Sequence, residues 1–104
     1  MKFINPEGKK TITLTRHQTE TIEIQDFETG SRKFELTVIL AGEAAVCHII
    51  GRTQTQKTDQ KIWKINQIFQ NRHQTGTLEL RGTAEDNSFL EFDGSATIES
   101  SSSQ

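Results

Sequence analysis

Apolar and polar residues alternate along most of this chain. Phe34, Leu36, Val38 and Leu40 form the cleanest run, with Glu35 and Thr37 between them. Strand side chains point alternately to opposite faces, so such a run predicts a strand with one face buried. Shorter runs of the same kind are Ile12 and Leu14, Ile22 and Ile24, Leu78 and Leu80, Leu90 and Phe92, and Ala96 and Ile98. In LAGEAAVCHIIG, Val46, His48 and Ile50 fall on one face, and Ala45, Cys47 and Ile49 on the other. Threonine and isoleucine, both β-branched, suit a pleated surface. Gly30, Gly42, Gly51, Gly76, Gly82 and Gly94 fall between the runs and predict turns. The pattern gives about seven short strands.

One segment departs from the alternation. In QKIWKINQIFQ, residues 60–70, the apolar residues Ile62, Trp63, Ile65, Ile68 and Phe69 are spaced as on one face of a helix. Ile, Trp and Phe favour strands, and no convincing cap brackets the segment, so strand is the reading taken over helix. The preceding RTQTQKTDQ reads as a polar strand edge or exposed loop, and residues 100–104 as a frayed tail.

Such strands build either a β-sandwich or a β-solenoid. Asp93-Gly94 is the only tight-hairpin pair of the Asn-Gly or Asp-Gly kind. Repeats of about 20–25 residues separated by small-residue turns favour an all-β solenoid, a short parallel β-helix, with the sandwich as the alternative. Composition agrees: 104 residues make a single domain, and at 32% apolar content the core must be thin. The net charge of -2 argues against a nucleic-acid-binding face. No apolar stretch approaches the ~20 residues of a membrane span, and MKFINPEGKK has no signal-peptide core. With Cys47 as the only cysteine, no intrachain disulfide forms, which points to a reducing cytoplasm.

Candidate chemistry is sparse. Cys47 and His48 are adjacent, but neighbours on a strand face opposite ways and make neither a dyad nor a ligand pair. Cys47 reads as a small buried apolar residue. Cys47, His48 and His73 are weak metal candidates, with His17 the remaining histidine; iron or zinc sites usually bring several such ligands at short spacing. His73 lies in a polar turn-like stretch, and Glu43 in the GEAA turn faces solvent or satisfies backbone donors. Glu85, Asp86, Glu91 and Asp93 form an acidic patch that reads as a solvated turn. There is no catalytic triad order and no phosphate-cradling loop.

The sequence resembles a known family. Gly42-Glu43-Ala44-Ala45 followed by Gly51 is similar to the GEGA-plus-glycine turn of the SufB/SufD proteins of iron–sulfur cluster assembly. Arg81-Gly82, Asp86, Phe92 and Gly94 resemble that family's Lys/Arg-Gly, Asp, Phe-x-Gly signature. Gly30, Arg32 and the run Phe34–Leu40 match its Gly-x-Arg turn and the strand before GEGA. The likeness covers roughly residues 30–98. It departs at Phe69, Arg72 and Gly76, where the family commonly has His, Pro and Ser. The resemblance implies a right-handed parallel β-helix spanning residues 1–104, here in truncated form, with glycines 42, 51, 82 and 94 as structural turns. The family's cluster-building Cys, Glu and His residues, and its SufC-contacting helical segments, lie further along and have no counterpart here. An iron–sulfur cluster therefore enters only through the resemblance, and no cofactor is expected from the residues themselves.

These readings together predict a non-catalytic scaffold or protein-interaction module. Its expected partners are a second copy, as a homodimer burying an end coil or an edge that includes aromatics such as Trp63 and Phe69, or SufB/SufC/SufD-like proteins. The alternatives are a self-assembling structural β-helix, dimeric or filamentous, and a metal- or persulfide-binding protein using Cys47.

Overall fold

The computed structural model describes residues 1–99; the expected frayed tail lies outside them. The elements are β1 (Lys2–Ile4), β2 (Gly8–Leu14), β3 (Thr19–Asp26), β4 (Arg32–Leu40), β5 (Val46–Thr55), β6 (Gln60–Phe69), β7 (Thr75–Ala84) and β8 (Phe89–Ile98). Odd strands form one sheet, in the order β1-β3-β5-β7, and even strands a second, β2-β4-β6-β8. Every pairing is parallel. Each odd–even pair is thus one coil, and successive coils stack. This is a parallel β-solenoid.

The coils are longer than the 20–25 residues expected. Val46 pairs with Thr75, and Gln60 with Phe89, both 29 residues apart. Two strands of about ten residues with two turns of four or five fill that length. The lower coils are shorter: Gly8 pairs with Phe34, 26 residues on.

Residues 60–70 form a strand, not a helix. Lys61, Trp63, Ile65 and Gln67 point inward, and Ile62, Lys64, Asn66 and Ile68 outward. The helix-like spacing arises because isoleucines occupy both faces. RTQTQKTDQ begins as strand: Arg52 to Thr55 complete β5, and Thr53 and Thr55 are buried.

The glycines correct the sequence reading most. Gly51, Gly82 and Gly94 were expected in turns, as was Gly76, yet all four lie inside strands. They make room across a thin interior. A Cβ on Gly51 would sit 2.6 Å from both Trp63 Cζ3 and Leu80 Cδ2. One on Gly94 would meet Leu78 at 2.6 Å, and one on Gly82 would run into Leu90 and Phe92. Where one sheet sends in a large side chain, the other answers with none. Gly42 is a turn glycine as expected, and its reason is close approach: a Cβ there would collide with the backbone of Thr15 and Arg16 in the coil below.

The core is a thin layer of side chains between the two sheets. Leu14, Ile22, Ile24, Phe34, Leu36, Val38, Leu40, Ala45, Cys47, Ile49, Trp63 and Ile65 are buried within it. Trp63 is fully enclosed, so it is not available to the end-coil interface expected from sequence; its ring lies 5.4 Å from that of Phe92.

Candidate interaction surface and the cluster behind it

Alternation along β5 decides the fate of the thiol. Cys47 is buried and His48 faces outward, where its Nδ1 lies 2.7 Å from Thr77 Oγ1 one coil above. Burial, with a smaller contribution from the Glu20 carboxylate on the neighbouring strand, pushes the thiol up to about 11. At neutral pH it is protonated, and the thiolate is the form that attacks or ligates. Among the described residues no three His, Cys, Asp or Glu side chains come together as a metal site.

His17 and His73 sit at equivalent corners with positive φ, as does Ala44 between them. His17 N donates to Glu43 O and Ala44 N to Arg72 O, both at 2.9 Å, so the three turns stack. Arg16-His17-Gln18-Thr19 recurs as Arg72-His73-Gln74-Thr75 two coils later, a repeat that the sequence reading overlooked. In each copy the glutamine Oε1 accepts from the backbone N–H three residues before it, Thr15 and Asn71. Gln74 Nε2 also donates to Leu40 O and Gly42 O, at 2.6 and 2.7 Å, tying the turn to the coil beneath. These histidines and Glu43 shape corners.

The opposite corner encloses an ion cluster that sequence reasoning also missed. Asp26 and Lys61 are fully buried, with Lys61 Nζ 3.0 Å from Asp26 Oδ1. Arg32 forks onto the same carboxylate, Nε to Oδ2 at 2.7 Å and Nη2 to Oδ1 at 2.8 Å. Lys61 Nζ further donates to the Glu28 and Gln54 carbonyls, both at 2.7 Å. Burial pushes the Asp26 carboxyl up, but the bonds from Arg32 and Lys61 outweigh it and hold it below its ordinary value. The ammonium thus gathers carbonyls from two coils around a single carboxylate. The available signal was phase: Lys61 falls in step with the inward Trp63 and Ile65.

The upper coil is different in character. β7 and β8 each end their sheet, and each is ten residues long. Their inward positions are half-covered: Leu78 is 36% exposed, and Leu80, Leu90 and Phe92 are intermediate. Phe89 and Ile98 are exposed outright. The acidic residues predicted as a patch, Glu85, Asp86, Glu91 and Asp93, are all exposed on this coil. Asp86 has a structural task as well: at φ 59° it turns the corner, and its carboxylate accepts from Lys57 N at 3.0 Å. The concavities are small. One of about 210 Å³ lies over Glu35, Lys64, Asn66 and Asp93, and one of about 250 Å³ beside Phe27, Arg52 and Arg81, both below the size of ordinary ligand pockets. No helix is present among the described residues, so none is long and apolar enough to cross a membrane.

The geometry defines a class, a short parallel β-solenoid with one long-stranded, uncovered end. Comparison with family models, curated proteins and solved structures finds no match to this chain.

Proposed function

We propose that the protein is a non-catalytic scaffold, a SufB/SufD-like β-solenoid that works by binding other proteins in iron–sulfur cluster assembly. The observation that carries the reading is the uncovered coil β7–β8: two ten-residue strands with free edges over half-exposed leucines and Phe92. Unpaired edges and apolar end faces are what a solenoid uses to join another element. The protonated, enclosed thiol and the small concavities favour binding over chemistry.

The positions that carry the family likeness support the reading. Gly42 permits two coils to stack, Gly82 and Gly94 admit side chains from across the interior, and Asp86 ties a corner to the one below. Each has a fold-building reason, which supports reading the likeness as one of scaffold, without a cluster ligand. On this reading the site of action is a reducing compartment such as the cytoplasm.

Affinity capture with the tagged chain tests the proposal. Recovery of a SufC-like ATPase or a SufB/SufD-type protein is the expected result. A specific small-molecule conversion by the isolated chain, with no protein captured, would replace it. Self-assembly is a second reading, favoured by the same uncovered end, and concentration-dependent particles in electron microscopy would mark it.

A further inference from the structure

The buried lysine has more oxygens around it than an ammonium group has protons. Lys61 Nζ lies 2.7 Å from both Glu28 O and Gln54 O, 3.0 Å from Asp26 Oδ1 and 3.3 Å from Asp26 O. An ammonium carries three N–H donors, and four oxygens share them. Three of the four are main-chain carbonyls. The side chains of Asp26 and Lys61 are both sealed from solvent, so the protein itself supplies this shell. The nitrogen has the surroundings of a coordinated ion more than the directed bonds of a single ion pair.

Each oxygen of the shell has an anchor besides the lysine. Asp26 O also accepts from Thr53 Oγ1 at 2.6 Å, and Glu28 O from Arg32 Nη2 at 2.7 Å. Arg32 grips both oxygens of the Asp26 carboxylate. Gln54 is held in β5 by its pairing with Thr83 of β7. Removing the ammonium alone therefore leaves a preformed group of oxygens in the interior. Buried polar groups without a partner are costly, so such a group favours whatever cation can refill it.

Size and charge select the ion. Calcium takes its oxygens at about 2.3–2.6 Å and magnesium at about 2.0–2.1 Å. A shell of 2.7 to 3.3 Å is too wide for either. Its one carboxylate is already paired with Arg32, which disfavours a divalent ion. Carbonyl oxygens in place of a hydration shell are how proteins hold potassium, an ion close to ammonium in size. We propose that this corner is a binding site for a monovalent cation of ammonium size, which the chain fills with its own Lys61. Potassium or a short alkylammonium ion takes the place once the side chain is cut back. The native chain thus closes its corner without a cation from solution.

Lys61→Ala vacates the shell and the space of the lysine stem. Urea denaturation of this variant is compared in potassium, sodium and propylammonium chlorides of equal concentration. The expected result is a folding equilibrium constant at least about threefold larger in ~0.2 M potassium than in sodium. Propylammonium, which refills the stem as well, gives a larger gain. The native chain and Lys61→Met show no such preference, because the lysine or the thioether side chain already occupies the space. Adding Asp26→Asn to Lys61→Ala removes it. If Lys61→Ala is unfolded in sodium chloride, the same salts are scored by recovery of the strand signal in circular dichroism. A second measurement needs no variant: nitrogen-15 NMR of the native chain shows one lysine ammonium whose protons exchange slowly at neutral pH. Three results overturn the proposal. They are equal behaviour of Lys61→Ala in all three salts, an equal response in Lys61→Met or the native chain, and the absence of a slowly exchanging lysine ammonium.

Discussion

Lys61 Nζ lies 3.0 Å from Asp26 Oδ1, with both side chains sealed from solvent. The two residues belong to different coils, Asp26 at the end of β3 and Lys61 near the start of β6. Because the ammonium also reaches carbonyls of Glu28 and Gln54, the pair links the corner of one coil to the corner of the next. Removing one partner of such a pair strands a charge in the interior.

Asp26→Asn therefore destabilises the fold by about 3–5 kcal/mol, read by urea denaturation. Lys61→Met costs less, about 1–3 kcal/mol, because Arg32 still holds the carboxylate when the Lys61 ion pair and its carbonyl bonds are lost. Equal effects of the two substitutions would show that the carboxylate does not organise the corner.

The same carboxylate gives the stability a pH dependence. Its folded-state value is depressed, so the contribution is present above the unfolded value, about 4, and is lost as pH falls through the folded value. Urea midpoints fall below pH ~4 in the native chain. With Asp26→Asn this component of the acid dependence is absent.

The thiol behaves in the opposite sense. Raised to about 11, it favours the folded state fully below the unfolded value, and that contribution declines as pH rises toward the folded one. Labelling of Cys47 by a thiol reagent at pH 8 accordingly proceeds only through opening of the fold, at a rate that follows denaturant concentration. Rapid labelling in native buffer would contradict the enclosed position.

Interior glycines are sensitive to a single methyl group. Gly51→Ala forces Trp63 and Leu80 apart and costs about 1–3 kcal/mol. Gly42→Ala costs more, because it strikes backbone, which yields less than a side chain. At Gly8 there is nothing within 4 Å, and only its φ of +91° opposes a side chain. Thermal unfolding of the three alanine variants gives the order Gly42, Gly51, Gly8 from most to least damaging.

The strands and the solenoid were legible because alternation is a property of neighbouring residues, and Phe34 to Val38 carries it without interruption. Coil length was not, since the 29-residue period is set by which residues pair, as Val46 does with Thr75. The interior glycines were misplaced for a related reason. Gly51 looks like punctuation along the chain, and only the opposite sheet reveals Trp63 in the space it leaves. Cys47 and His48 were placed on opposite faces from phase alone. The Asp26–Arg32–Lys61 cluster escaped because its members are up to 35 residues apart, although the phase of Lys61 with Trp63 was there to be seen.

The account turns on the uncovered coil, and hydrogen exchange across β7 and β8 in a captured complex tests it most directly. In the isolated chain the free-edge amides of these strands exchange faster than those of β4 and β5, which are paired on both sides. When a captured partner is bound, protection rises on β7 and β8 first. A complex that protects another face and leaves both strands unchanged would contradict the account.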